Sequence, residues 1–167
     1  MVKDPLVVFA YSDGSAIGNP GPGGYGVVLK YGETVNELSA GYRHTTNNRM
    51  ELLGAIVALE TLKHSCHVEL TSDSRYLIDG ISKGWAERWR ANGWRRGKQR
   101  GKALNSDLWE RLLKAVARHD LTFKWVRGHA GHPENERCDQ LANQAARGID
   151  LPADEEYERI NGRVGDV

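Results

Sequence analysis

Four carboxylates stand where chemistry could be done: Asp13, Glu51, Asp73 and Asp139. Each lies beside the end of a segment with its own hydrophobic pattern. Asp13 follows the β-branched and aromatic run Leu6 to Ser12, and Asp73 follows the short run Val68 to Ser72. Glu51 enters an almost wholly apolar helical stretch, and Asp139 falls early in the last helix. Ligands of mixed α/β sheets bind beyond the carboxyl ends of parallel strands, so Asp13 and Asp73 become neighbours if the first and fourth strands pair. Four acids in one pocket would repel one another and raise their own pKa values unless a cation neutralised them. Their all-oxygen donor set suits a hard ion, Mg²⁺ or Mn²⁺. Singly, each acid is ordinary, since Asp is common at strand-to-turn junctions and Glu at the third helical position. As a set they are less so: Glu51 heads an apolar helix and Asp139 is followed by Leu141 and Ala142.

The elements that must position these acids follow from periodicity and turn chemistry. Leu6 to Ser12 is a strand, Gly14 to Gly24 a Gly/Pro loop, Tyr25 to Tyr31 a second strand and Thr34 to Arg43 a third. Their short connections favour an antiparallel meander, because parallel neighbours need a long crossover. Thr45 to Asn48 offer N-caps for a buried helix from Met50 to Leu62, with Asn48 and Glu51 at capping-box spacing. The strand Val68 to Ser72, reached by that crossover helix, runs parallel to an earlier one. A brief helix starts at Ser74 and ends at Gly80 or Gly84. An amphipathic helix spans Ser106 to His119, a strand Leu121 to Val126, and a last helix Asn135 to Arg147, stopped by Gly148. The order is βββαβααβα, a single α/β domain over 1–148, followed by an acidic, loosely held tail over 149–167.

Composition limits the function classes. With 167 residues, 40% hydrophobic and 27% charged, the chain is of the globular class. It has no apolar run near the roughly 18 to 20 residues that cross a bilayer. The start, Met1 to Pro5, leads straight into Leu6 to Tyr11, too short for a secretory core, which predicts a cytoplasmic protein without membrane association. Cys66 and Cys138 are too few and too far apart for a disulfide framework and read as reduced, inert thiols. The net charge of +1 conceals an asymmetry: residues 83–102 hold eight Lys or Arg and one acid, while the remainder is acidic. A basic strip on an acidic body suggests a polyanion held at one place and a cation at another.

Four segments together resemble the type 1 ribonucleases H, in particular the bacterial form. They are Ser12 to Ser15 with Gly18 to Gly26, Thr45 to Leu52, Ser72 to Ser74, and the long block Gly128 to Asp139, in the family's order and covering about residues 6 to 147. The resemblance implies a mixed five-stranded sheet, three antiparallel strands then two parallel, with helices on both faces. It implies a Mg²⁺-dependent endonuclease that hydrolyses the RNA strand of an RNA/DNA hybrid with two ions when substrate is bound, leaving 5′-phosphate and 3′-hydroxyl ends. The family's metal-binding acids fall on Asp13, Glu51, Asp73 and Asp139, and its catalytic histidine on His129, in a flexible loop between Gly128 and Gly131. Asn19, Asn47 and Asn48 correspond to minor-groove readers and Thr46 to a DNA-phosphate contact. The segment with Trp85, Arg88, Trp89, Trp94, Arg95 and Arg96 corresponds to the family's basic protrusion, although tryptophans at this spacing also pack on the body of a protein. The chain is expected to act as a monomer.

Three features qualify the resemblance. Gly21 to Gly26 formally matches a dinucleotide-binding fingerprint, but a strand rather than a helix is expected after it, and a tight turn placing backbone amides near an RNA sugar is the better reading. His44 and Arg75 stand where the bacterial pattern has Arg and Gln; Arg43 could substitute at the first and Arg75 could add an RNA-phosphate contact. The same fold also accommodates non-catalytic hybrid-binding modules, which lack one or more acids, and other nucleotidyl-transfer enzymes, which share the acids but not the Thr-Thr-Asn-Asn or Gly-His-Ala-Gly-His-Pro segments.

Overall fold

Alternation along the first strand sorts the two sides of the sheet. In β1 (Val7–Ala16), Val8 and Ala10 enter the main core, while Tyr11 packs with Val28, Cys138 and Leu141 in a second cluster. The computed structural model describes residues 6–95 and 103–162. Next to β1 on one side lies β2 (Gly21–Tyr31), antiparallel, and beyond it β3 (Thr34–Thr45), also antiparallel. On the other side lie β4 (His67–Ser72) and β5 (Asp120–Trp125), both parallel. The five-stranded order is β3-β2-β1-β4-β5, so the meander and the crossover are as the connection lengths require.

Helix α1 (Asn47–Glu60) is apolar on all sides because it is enclosed on all sides, lying between the sheet and α4 (Ser106–Ala117). Met50, Leu52, Ile56, Leu59, Trp109 and Leu112 are fully buried there. Between β4 and α4 run α2 (Arg75–Ser82), capped by the Ser74 hydroxyl, and α3 (Trp85–Ala91). The opposite face of the sheet carries α5 (Pro133–Ala146), which packs on β1, β2 and β3.

Several boundaries differ from expectation for physical reasons. The segment expected as a Gly/Pro loop from Gly14 to Gly24 is mostly strand: β1 runs on to Ala16, β2 starts at Gly21, and Ala16 pairs with Gly23. Its glycines admit close neighbours: Gly14 lies against the α1 backbone at Met50, and Gly24 against α5 at Ala142. A Cβ on Gly26 would lie 2.2 Å from the Cys138 carbonyl oxygen, so only glycine lets the helix come this close. The approach of α5 accounts for Gly24 and Gly26, while Gly18, at φ 80, belongs to the turn between β1 and β2. Helix α1 begins earlier than expected, with Thr46 as N-cap accepting from the Arg49 N–H at 3.2 Å, so Glu51 is in the second turn and not in a capping box with Asn48. Two helices were absent from the expected order, α3 and α6 (Glu155–Asn161). The tail after Gly148 is therefore not loosely held over its described length. Asp154 is buried and bonds Arg49, and the Arg43 N–H donates to the Pro152 carbonyl at 2.9 Å. Arg96 lies outside the described residues.

Candidate active site

Asp13 is inside β1 and not after it, yet it stands beyond the β1–β4 ladder, whose last pair is Tyr11 with Thr71. Asp73 follows β4 directly, and Glu51 comes from α1 across the sheet end. One carboxylate oxygen from each of Asp13, Glu51 and Asp73 lies within 4.8 Å of the others. Asp139, in the second turn of α5, lines the same cleft of about 360 Å³ without joining this tight group, and its Oδ1 accepts from Asn143 Nδ2 at 3.2 Å.

Asp13 and Glu51 are electrostatically unfavourable as carboxylates. Burial first, and the Asp73 charge second, push Asp13 up to about 7, although the Gly14 N–H donates to its Oδ1 at 2.9 Å. Burial, then the charges of Asp13 and Asp73, raise Glu51 well above the carboxylate range. Glu51 Oε2 is buried and has no hydrogen-bond partner among the described residues. Unpartnered buried oxygens are rare because each costs its lost hydration. A hard divalent cation would supply both the missing partner and the neutralising charge, so the donor set fits such an ion.

Around the acids the cleft gathers Asn47, Asn48, Arg75 and His129. His129 is exposed and adopts a left-handed backbone, φ 56. Gly128 before it touches Asp73: a Cβ there would meet Asp73 Oδ2 at 2.7 Å, so the glycine lets the loop pass close to the acid. Asn19 and Thr46 line an adjoining groove of about 500 Å³, which Asn47 and Asn48 share. Asn19 Oδ1 accepts from the Asn47 N–H at 3.0 Å, and Asn47 Oδ1 accepts from the Ala16 N–H at 2.5 Å, locking the two loops together.

Trp85, Arg88, Trp89 and Arg95 stand apart, on α3 and just after it, and line neither cavity. Trp89 packs edge-on to Trp109 with centroids 6.0 Å apart, and Trp85 tilts against Trp89 at 6.4 Å. Arg88 donates to the Lys83 carbonyl at 2.9 Å. Arg43, the expected substitute for an arginine at His44, is engaged by Glu158 at 3.1 Å, and the His44 ring meets Tyr157 edge-on at 5.3 Å. Both belong to the packing of α6. The cysteines behave as expected: Cys138 is buried and its thiol is pushed up to about 12 by that burial, so it stays protonated.

Sequence reasoning overlooked Tyr76, which lines the cleft and accepts from Trp109 Nε1 at 3.0 Å and Asn105 Nδ2 at 3.1 Å. It also overlooked Arg49, a cation at the head of an otherwise apolar, buried helix, which signals a buried ion pair.

The family model described as RNase H matches residues 5–147. The chain belongs to the ribonuclease H family. Ribonuclease H of Syntrophus aciditrophicus is 64% identical over 156 residues, covering 93% of this chain and 90% of that one. The crystal structure of LC9-RNase H1, a type 1 RNase H with the type 2 active-site motif, matches with a TM-score of 0.77 at 34% identity, over 98% of this chain and 84% of that one. LC11-RNase H1, solved in complex with RNA/DNA hybrid, matches with a TM-score of 0.60 at 25% identity, over 83% of this chain and 96% of that one. The RNase H match ends before Asp154 and α6, whose segment ties down Arg43 and Arg49. Among the described residues no helix is long and apolar enough to cross a membrane.

Proposed function

We propose that the chain is an endonuclease hydrolysing the RNA strand of RNA/DNA hybrids, with Asp13, Glu51, Asp73 and Asp139 holding Mg²⁺ or Mn²⁺. The observation that carries this reading is the carboxylate triad of buried Asp13 and half-buried Glu51 and Asp73, with its unpartnered Glu51 oxygen, in a chain of the ribonuclease H family. When bound, a pair of divalent ions supplies a more acidic attacking water and charge neutralisation at the leaving 3′ oxygen, consistent with 5′-phosphate and 3′-hydroxyl products.

The chain's own groups account for selectivity and proton handling. The side-chain oxygens of Asn19 and Asn47 are already occupied by backbone N–H groups. Their amide N–H groups remain to donate, with Asn48, to ribose 2′-hydroxyls, the feature that separates RNA from DNA. The Thr46 hydroxyl accepts from the Arg49 N–H and keeps its own proton for a phosphate of the DNA strand. His129 lines the cleft, and we assign it the carrying of a proton to or from the leaving group. Arg75 at the cleft and Arg88 and Arg95 on the protrusion provide cations for phosphates, with Trp85 a ring against which the nucleic acid can pack. We further propose that the chain acts as a monomer in a reducing cytoplasm, with Cys66 and Cys138 as free thiols.

One gel tests the reading: uniformly labelled RNA/DNA hybrid, RNA/RNA and DNA/DNA, each incubated with Mg²⁺ and either wild type or Asp73→Asn. The expected result is cleavage of the hybrid's RNA strand alone, by wild type alone. Cleavage of the RNA/RNA or DNA/DNA duplex in its place would overturn it.

A further inference from the structure

Arg75 occupies the first position of α2, beside the carboxylate cleft, where the helix dipole disfavours a cation. The contact that holds it is aromatic. Its guanidinium carbon lies 3.9 Å from the ring centroid of Trp125, the last residue of the edge strand β5. The same indole donates its Nε1–H to the main-chain carbonyl of Asp73 at 3.0 Å. One side chain thus touches both the residue that follows β4 and the residue that opens α2. Among the described residues Arg75 forms no ion pair, even though the cleft it lines contains four acids.

We infer that Trp125 is a positioning residue, which holds Arg75 as a preset cation for a phosphate of the bound nucleic acid and steadies the backbone of Asp73. A guanidinium stacked on a ring keeps its in-plane N–H groups available, and these match a phosphate bidentately. Stacking also removes rotamer freedom before the ligand arrives, which lowers the entropic cost of the contact. The two roles separate chemically: the ring face serves Arg75, and the indole N–H serves Asp73. This inference rests on the hybrid-hydrolase reading.

The test compares wild type, Arg75→Gln, Trp125→Leu, Trp125→Phe and the double variant Arg75→Gln/Trp125→Leu. Affinity for a fluorescently labelled RNA/DNA hybrid is read by anisotropy in EDTA over a range of salt, and kcat and KM are read with Mg²⁺. Arg75→Gln is expected to weaken binding by about tenfold and to lower the salt slope by about one. Trp125→Leu should weaken binding to a similar degree, and the double variant no further, because both lose the same contact. Trp125→Phe should keep wild-type affinity and lower kcat, since the ring remains and the N–H is lost. Arg75 is exposed, so Arg75→Gln carries the binding arm even if a Trp125 variant folds poorly. Wild-type affinity in Trp125→Leu, or effects of the two single variants that multiply, would overturn the inference alone. A wild-type kcat in Trp125→Phe would overturn the Asp73 role. A wild type that binds no hybrid would overturn the functional reading and this inference with it.

Discussion

Arg49 and Asp154 are 105 residues apart in sequence and meet in a buried ion pair, Nε to Oδ2 at 2.7 Å. Asp107 holds the other edge of the guanidinium, with both nitrogen-to-oxygen distances 2.8 Å, and Thr45 donates its hydroxyl to Asp154 at 2.7 Å. Burial works against the Arg49 charge, but hydrogen bonds to Asp107 and Asp154 outweigh it and its pKa rises. The chain after α5 therefore fixes the first turns of α1, which carry Asn47, Asn48 and Glu51. Asp154→Ala leaves a buried cation with one acid instead of two. The expected loss is about 2 kcal/mol, a fall in Tm of about 4 to 8 °C for a chain of this size. Thermal melting followed by circular dichroism checks it, and an unchanged Tm would mean that Asp107 alone suffices.

The buried charge of Asp13 is expected to cost stability when no metal is bound. Asp13 has an ordinary value of 3.8 and is pushed up to about 7 in the fold, so between those values the folded chain binds more protons than the unfolded one. Stability from this group is then present at low pH and falls as pH rises from about 4 to 7. Fully charged, Asp13 costs up to about 4 kcal/mol. In EDTA at pH 8, Asp13→Asn is expected to raise Tm by several degrees while abolishing cleavage. Mg²⁺ should raise the Tm of wild type more than that of the variant. A variant that melts lower than wild type in EDTA would show that repulsion is not the dominant force at this site.

Gly26→Ala tests the approach of α5 to the sheet. The added methyl would lie 2.2 Å from the Cys138 carbonyl oxygen and 2.7 Å from Leu141 Cβ. Neither neighbour is a flexible chain end, so α5 must shift as a unit, at a cost of about 3 kcal/mol. Asp139 rides on the same helix, and kcat should fall together with Tm. A variant with native Tm and activity would mean that the helix moves away at no cost.

What was legible in the sequence followed from where each signal resides. The acids could be picked out because their types and flanking patterns are local, and the antiparallel order of the first three strands follows from short links, whereas the strand that β4 joins came only with the family resemblance. The stretch up to Gly24 reads as a loop because glycine in isolation reports conformational freedom, whereas at Gly24 it reports α5 packed against the strand at Ala142, a contact between residues more than 100 positions apart. The first turn of α1 was misplaced because Thr46 and Asn48 are both capable caps, and the choice between them depends on Asn19 accepting from the Asn47 N–H. The tail was read as loose because its acidic composition suggests solvation. Its order comes from the buried Arg49 and from Arg43, neither of which has an acid partner nearby in sequence.

The tryptophans of the protrusion should divide by function. Trp89 packs against buried Trp109, so Trp89→Ala is expected to lower stability by about 2 kcal/mol. Trp85 meets only Trp89 and Lys83 among the aromatic and cation contacts of the described residues, so Trp85→Ala should leave Tm nearly unchanged and raise KM. Arg88 and Arg95 are exposed, and although one guanidinium nitrogen of Arg88 is used by the Lys83 carbonyl, its charge remains available to phosphates. Replacing both by Ala should raise KM by about tenfold, leave kcat within about twofold, and lower the salt slope of hybrid binding by up to about two. Steady-state kinetics at several salt concentrations, beside melting curves for the two tryptophan variants, decide this. If KM and the salt slope of the double arginine variant match wild type, the protrusion does not hold the substrate, and its charge must act elsewhere than on the hybrid.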